Sequence, residues 1–403
     1  MYMKKTRLAA LLLCAIILIL PLTACGSKPP AATTATPASE VIKIGLITPL
    51  TGNVAVYGNA VKEAADLYTK IFNDAGGVNG KMIQLIAYDD KGNPTEAVNA
   101  YNKLVSSDNV VAFIGPVTSS PTFGIAELSA KDGIPGITGT ATHPDVTSYG
   151  DNYFRACFED PFQGGTMAKF AFDELKATTA AIIYNNTDAY STGLMEAFTR
   201  VAGQVGLEIV ITESYGADDV DFSAQLNNIA SKSPEVLFIP DYYNATYLIA
   251  SQARKIGIEA VFLGIDGTDG ILEIEGADVS VFDGMYFANH YSADDTSPIL
   301  QNFLKEYRAE YGTTPNALAA LGFDSAMILY DAIKKVDASG ITIAANKETR
   351  DAIIAAMKAT DLQCVTGRIT FDANNNPVKD CAIIKVVFSA AENAAKYEFY
   401  MSY

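Results

Sequence analysis

The chain has 403 residues, a formal net charge of −17 and an apolar fraction of 49%, enough for a buried core and, by length, for two domains. This acidity argues against nucleic acid or an anionic membrane surface as a partner. With two histidines, no Cys-x-x-Cys pair, no nucleophile elbow and no phosphate loop, the sequence favours neither an enzyme nor a metal or cofactor site.

The first 24 residues have the pattern of a secretion signal. Lys4, Lys5 and Arg7 precede an apolar run of 13 residues, Leu8–Leu20, which is too short to span a bilayer comfortably. The following stretch, Leu22–Cys25, resembles a bacterial lipobox, in which cleavage occurs before a cysteine that carries lipid. We therefore predict a lipoprotein signal peptide over residues 1–24 and lipidation of Cys25. An ordinary secretory signal and an uncleaved anchor are the alternatives.

The stretch after the signal has no periodic apolar pattern. Small and polar residues with proline fill Gly26–Glu40, a composition that cannot build a core. We predict that residues 25–40 are a flexible tether. Because two acyl chains hold a protein firmly at a bilayer, we expect an extracytoplasmic protein, lipid-anchored to the outer face of the bacterial cell membrane.

Strands and helices alternate in the first part of the folded body. The apolar runs Val41–Ile47 and Met82–Asp89 predict buried strands, separated by a loop over Thr51–Gly58 and a helix over Asn59–Ala75. A second helix follows Pro94. This alternation indicates an α/β fold in which parallel strands are joined by right-handed crossovers.

Two further strands predict the position of a binding site. The runs Val110–Ile114 and Ile134–Thr138 each end in a turn rich in glycine, serine and threonine. In an α/β sheet, ligands bind outside the carboxyl ends of the strands, where helix amino ends offer free N–H groups. Ser119, Thr140 and Thr142 would add hydroxyl groups. We interpret this region as a site for a small anion, and a carboxylate is the expected one.

The alternation starts again after Tyr153–Arg155. It predicts further strands at Ala180–Tyr184, Glu208–Glu213, Val236–Pro240 and Val261–Gly264. Three helices then lead to a hairpin that joins Gly367–Phe371 to Ala382–Phe388. The architecture of the first block is thus repeated, although no sequence repeat accompanies it. The three cysteines of the body, Cys157, Cys364 and Cys381, are expected to be free buried thiols.

From Val41 to Phe388 the chain resembles the branched-chain amino-acid-binding proteins of ABC importers. No single motif is specific, but the order and spacing of seven segments are: Thr51–Gly58, Gly76–Gly80, Tyr88–Asp90, Asp160–Gly164, Gln252–Arg254, Gly322–Asp324 and Thr366–Gly367. The resemblance implies a type I periplasmic binding protein, in which two Rossmann-like lobes are joined by three hinge crossings around a ligand cleft. It places lobe 1 at 41–160 and 290–362, and lobe 2 at 161–289 and 363–403.

The resemblance also implies which residues bind the ligand. Ser119 and Thr142 match the positions that bind the carboxylate of an amino acid, through hydroxyl and backbone N–H groups. Thr140 matches a backbone carbonyl that takes the ammonium group, and Ala141 lies between them. Asp266 matches an acid that pairs with the ammonium group. Tyr57 would line the side-chain pocket, and two tyrosines of lobe 2 would close over the ligand, Tyr190 and Tyr242.

Each of these residues has a simpler interpretation. Ser119 and Asp266 could cap helices, the threonines could be satisfied within their loop, and the tyrosines could pack between the lobes. The family's disulfide is absent, since Lys91 and Thr118 stand at its positions. The resemblance implies a monomer that captures an amino acid, branched-chain or aliphatic, and delivers it to a permease and ATPase. A carrier of an amide or aromatic acid and a sensory binding protein are the alternatives.

Overall fold

A computed structural model describes residues 41–403. The predicted signal peptide (1–24), the tether (25–40) and the lipidation site at Cys25 lie outside the described residues. Among residues 41–403, no helix is long and apolar enough to cross a membrane.

The first lobe is built on a parallel sheet of five strands. These strands are β1 (Val41–Thr48), β2 (Met82–Asp89), β3 (Ala112–Ile114), β4 (Gly136–Thr138) and β5 (Tyr153–Arg155), in the order β2-β1-β3-β4-β5. Both faces of the central strands are buried, which explains their continuous apolar sequences. The helices that connect them are α1 (Ala55–Asp74), α2 (Pro94–Lys103) and α3 (Ser119–Asp132).

The second lobe is built on a sheet of seven strands. Five of them run parallel: β6 (Thr179–Asn185), β7 (Glu208–Tyr215), β8 (Val236–Phe238), β9 (Val261–Gly264) and β10 (Tyr286–Asn289). Two antiparallel strands complete the order β14-β13-β10-β9-β8-β6-β7, namely β13 (Ala382–Ser389) and β14 (Ala394–Ser402). The helices of this lobe are α4 (Asp160–Asp173), α5 (Ala189–Val205), α6 (Ser223–Ala230) and α7 (Tyr243–Lys255).

The chain passes between the two lobes three times. It leaves the first sheet after β5 and leaves the second sheet after β10. It then forms α8 (Pro298–Tyr311), α9 (Ala317–Ala338), α10 (Lys347–Lys358) and a two-stranded sheet of β11 (Asp361–Cys364) and β12 (Gly367–Thr370). Helix α9 packs on the first lobe, because its Tyr330 contacts Phe72 and bonds Thr69 of α1. The third passage leads to β13. The predicted crossings are confirmed, while the exact lobe boundaries stay predictions.

Two local predictions were wrong. The hairpin expected between Gly367–Phe371 and Ala382–Phe388 does not form, because β12 pairs with β11 and β13 pairs with β10 and β14. The isolated bridge between Phe371 and Pro377 is what remains of it. The loop expected over Thr51–Gly58 is shorter, because α1 begins at Ala55. The prediction for the three cysteines of the body is confirmed, since all are buried and unpaired.

Candidate functional site

A small cavity lies where the carboxyl ends of the two sheets face each other. The loops that follow β3, β4, β6, β8 and β9 all contribute to its wall, as do the first turns of α1 and α9. This is the position at which open α/β sheets bind ligands. Its lining residues are Tyr57, Val117, Thr118, Ser119, Thr140, Tyr190, Tyr242, Asp266, Gly267 and Leu318.

One wall of the cavity is the amino end of α3. The helix begins at Ser119, and its N-cap residue Thr118 has extended backbone geometry without a side-chain capping bond. The first N–H groups of the helix are therefore left for another acceptor, and they carry the positive end of the helix dipole. The Ser119 hydroxyl accepts a 3.3 Å hydrogen bond from the N–H of His143. This wall suits a carboxylate.

The loop after β4 presents one predicted residue, Thr140, to the cavity. Its hydroxyl donates to the carbonyl of Val117, and its N–H donates to Oγ1 of Thr138 at 3.2 Å. The carbonyl oxygen of Thr140 is the polar group that these bonds leave unused, and a carbonyl can accept from an ammonium group.

Two other predicted residues are not among the described residues that line the cavity. Ala141 lies behind the loop, where its carbonyl accepts from Nη1 of Arg155 at 3.3 Å. Thr142 is buried, and its carbonyl accepts from the N–H of Asp160 at 3.0 Å. Their contact with a ligand stays a prediction.

The opposite wall carries the carboxylate of Asp266. This residue begins a 3-10 turn directly after β9 and is 6% exposed. Its Oδ1 accepts from the hydroxyl of Tyr190 at 2.5 Å and from the N–H of Gly267 at 2.9 Å. Its Oδ2 lies 3.1 Å from Nε2 of His290. The carboxylate is thus fixed by three neighbours with its charge at the cavity wall.

Three tyrosines form an aromatic wall. The rings of Tyr190 and Tyr242 stack with centroids 4.9 Å apart and 1° between their planes. Tyr57, in the first turn of α1, meets Tyr242 edge-on at 5.9 Å. Burial raises the pKa of all three hydroxyls well above the usual value, so they stay neutral donors.

Gly267 lies where a larger residue would not fit. A Cβ atom there would approach the hydroxyl of Tyr190 to 2.7 Å. The same hydroxyl accepts from the N–H of Gly267 at 3.0 Å, so the turn and the tyrosine are packed closely together. Glycine at this position allows the acid and the aromatic wall to meet.

Several side chains of the site were not assigned from sequence. Leu318, Val117 and Thr118 line the cavity. Behind Asp266, the amide oxygen of Gln163 accepts from its N–H at 3.2 Å. Gln163 lies in Asp160–Gly164, one of the segments that carry the family resemblance, and this is the sequence feature that could have identified it. Nothing in the sequence pointed to His290, since a lone histidine after a short strand is most often a core residue.

Direct contacts across the cleft hold the two lobes together over the cavity. The hydroxyl of Tyr57 donates to the carbonyl of Gly267 and accepts from the N–H of Tyr243 at 3.1 Å. The hydroxyl of Ser120 donates to Oδ1 of Asp188 at 2.8 Å. The structure therefore has the closed arrangement of the lobes.

Comparison with known proteins identifies the family. The family profile described as "Periplasmic binding protein" matches residues 41–392. The chain belongs to the periplasmic binding protein family. It is 31% identical over 334 residues to the Leu/Ile/Val-binding protein BraC3 of Rhizobium johnstonii, a match that covers 82% of this chain and 87% of the relative. Members of this family bind substrates outside the cytoplasm and are not enzymes, which agrees with the sequence-based expectation.

Solved structures give the same answer for the fold. The branched-chain amino acid transporter substrate-binding protein LivJ of Streptococcus pneumoniae, in complex with isoleucine, is 30% identical and has a TM-score of 0.80, over 90% of this chain and 100% of that chain. A solute-binding protein of an ABC transporter from R. palustris, in complex with benzoate, is 22% identical and has a TM-score of 0.78, over 89% of this chain and 96% of that chain. The fold of this periplasmic binding protein is therefore the type I fold, as predicted.

Proposed function

We propose that this protein captures an α-amino acid, of the branched-chain or another aliphatic type, and delivers it to the permease of an ABC importer. The main support for this proposal is one observation: a single buried cavity has the amino end of a helix on one wall and the carboxylate of Asp266 on the other. A zwitterion needs donors at its carboxylate and an anion at its ammonium group. Both requirements are met in a desolvated cleft, where charge-assisted hydrogen bonds are strong.

Each wall then has a role. The first turn of α3, with the Ser119 hydroxyl, takes the carboxylate of the ligand. Asp266 and the carbonyl of Thr140 take the ammonium group. Leu318 and the aromatic wall, with Tyr57, Tyr190 and Tyr242, surround an apolar side chain. Ala141 and Thr142 are buried in the same loop as Thr140, and their contact with the carboxylate of the ligand is part of the proposal.

Closure of the lobes is the mechanism of capture. A ligand drives closure only if it binds the closed form better than the open form. Here Asp266 and two of the tyrosines come from the second lobe, while α3 and Thr140 come from the first, so a bound amino acid contacts both. Hinge bending at the three crossings is the expected motion. The closed form then presents both lobes to the permease, and a separate ATPase drives transport.

Attachment to the membrane completes the proposal. Cleavage before Cys25 and lipidation of its thiol would hold the protein at the outer face of the cell membrane, with residues 25–40 as the tether. We propose a monomer, because one chain supplies every wall of the cavity.

An anionic ligand without an ammonium group is the competing possibility, since the R. palustris relative was solved with benzoate. A buried carboxylate at the cavity wall opposes such a ligand, because two like charges would meet in a desolvated site. The position of Asp266 therefore favours the amino acid.

The test is a melting experiment on purified protein against each of the twenty amino acids and against benzoate, at millimolar concentration. A ligand at about 100 times its dissociation constant adds roughly 2.7 kcal/mol to the free energy of unfolding, which raises the melting temperature measurably. We expect a shift with leucine, isoleucine or valine. A shift with benzoate and with none of the amino acids would contradict the proposal.

A further inference from the structure

His290 lies directly behind the candidate binding site and comes from a hinge crossing. It is the first residue after β10, where the chain leaves the second sheet for the first lobe. The residue is 4% exposed, and its ring stacks on Phe158 with centroids 3.7 Å apart. Phe158 belongs to the crossing that precedes α4, so two hinge crossings meet at this ring.

The hydrogen bonds of the ring indicate its tautomer. Nε2 lies 3.1 Å from Oδ2 of Asp266, while Nδ1 has no hydrogen-bond partner. A carboxylate oxygen is an acceptor, so Nε2 carries the proton and donates it. Nδ1 is then an unprotonated nitrogen, so the buried ring has no N–H group without an acceptor.

Burial favours the neutral form of the ring. It lowers the pKa of His290 below its usual value, although the hydrogen bond to Asp266 and the charge of Asp266 both raise it, and the charge of Lys379 lowers it further. Burial also raises the pKa of Asp160, at the start of α4, well above the usual value. Further charged groups line a groove on the hinge side of the ring, namely Asp294, Asp295, Arg368, Lys379 and Asp380.

A neutral histidine has a consequence for specificity. It holds Asp266 by a hydrogen bond without cancelling its negative charge, whereas an imidazolium ion would form an internal ion pair with it. Tyr190 and the N–H of Gly267, the other two partners of this carboxylate, are also neutral donors. The positive charge that Asp266 lacks must therefore come from the ligand.

We propose that His290 is a positioning residue that orients Asp266 as a neutral Nε2–H donor and thereby makes the site select ligands that carry their own ammonium group. This role rests on the proposed function, in which Asp266 pairs with the ammonium group of an amino acid. It adds a specificity determinant on the hinge side of the cleft, out of contact with the ligand.

Calorimetric titrations at pH 7.5 with leucine and with 4-methylpentanoate, which is leucine without its amino group, test this role. We expect His290→Leu to weaken leucine binding about tenfold, which is the loss of one charge-assisted hydrogen bond. Binding of 4-methylpentanoate, which has no ammonium group to pair with Asp266 and is opposed by its charge, should not weaken in this variant. His290→Gln retains an N–H donor and should restore leucine binding. Equal losses for both ligands in His290→Leu would overturn the role.

A second measurement leaves His290 itself unchanged. The chain has two histidines. An NMR spectrum of ¹⁵N-histidine-labelled protein without a histidine tag therefore contains two sets of imidazole signals. The set that is absent from the spectrum of His143→Gln belongs to His143, and the other set belongs to His290. We expect His290 as the neutral Nε2–H tautomer at pH 7. If the protein binds leucine while His290 is an imidazolium ion or an Nδ1–H tautomer, the role proposed for His290 is overturned, but the proposed function is not. Failure of the wild-type protein to bind leucine would overturn the proposed aliphatic ligand, and with it this role.

Discussion

The N–H of Ala317, at the start of α9, donates a 2.8 Å hydrogen bond to Oδ2 of Asp269, which belongs to the opposite lobe. Asp269 follows the 3-10 turn that begins with Asp266, and its own N–H donates to the carbonyl of Asp266 at 3.1 Å. A carboxylate at a helix amino end is stabilised by the helix dipole. The turn that carries the candidate ammonium partner therefore also carries a bond that holds the lobes closed.

Replacement of Asp269 should weaken ligand binding without any change in the cavity wall. In Asp269→Ala, the N–H of Ala317 has no acceptor when the lobes are closed. The open form does not contain this bond and is unaffected, so the equilibrium shifts toward the open form. A buried bond to a charged group is worth roughly 1.5–3 kcal/mol, so we expect the apparent dissociation constant for leucine to rise at least about tenfold. Calorimetry measures this, with the exposed Asp218→Ala as the matched control. Unchanged affinity would show that this bond does not contribute to closure.

The hydroxyl of Tyr190 can be removed while its ring stays in place. Tyr190→Phe keeps the stack on Tyr242 but removes the donor to Oδ1 of Asp266 and the acceptor for the N–H of Gly267. We expect leucine affinity to fall about tenfold, because the carboxylate loses one of its three fixed contacts. The melting temperature of the unliganded protein should change by a few degrees at most. If affinity is retained, Tyr190 contributes packing alone.

Asp90 makes the stability of the protein depend on pH. It is fully buried, and burial raises its pKa to about 7 despite the bond from the N–H of Gly92. The unfolded chain releases this proton near pH 4, and the folded chain retains it until about pH 7. The free energy of unfolding therefore falls as the pH rises from about 4 to about 7, and the loss remains above that range.

The isosteric variant Asp90→Asn should remove this dependence. It keeps an acceptor for Gly92 and cannot ionise, so we expect it to melt a few degrees higher than the wild-type protein at pH 8. The gain should disappear near pH 4, where the carboxyl group is protonated in both states. Melting curves across this range test the prediction, with the exposed Asp74→Asn as the control. A gain of equal size at both pH values would mean that ionisation is not its cause.

The parallel strands could be predicted from sequence because they are buried on both faces and read as continuous apolar runs. Val41–Ile47 is an example, whereas the edge strand Met82–Asp89 is only partly buried. The helices between the strands follow from helical spacing. The C-terminal strands were harder. β14 is half exposed and β11 is short, so neither has a distinct pattern, and the partner of β12 was wrongly assigned. Pairing partners depend on long-range packing, which a local pattern does not contain.

Six of the eight residues predicted to bind the ligand line one cavity, because turns after parallel strands meet at the same edge of a sheet. The side chains behind them could not be predicted. Gln163 and His290 both contact Asp266, but they come from the first turn of α4 and from the segment after β10, and a local sequence pattern does not show where these two segments meet. Ala141 and Thr142 follow Thr140 in the same loop, but they are fully buried and are not among the residues that line the cavity.

The pairing of an ammonium group with Asp266 is the central claim, and calorimetric titration of leucine into the wild-type protein and Asp266→Asn tests it most directly. The amide keeps the size of the side chain and removes its charge. Loss of one partner of a buried charge pair costs roughly 2–5 kcal/mol, so we expect leucine affinity to fall at least about 30-fold. Equal affinity of the two proteins for leucine would contradict the account.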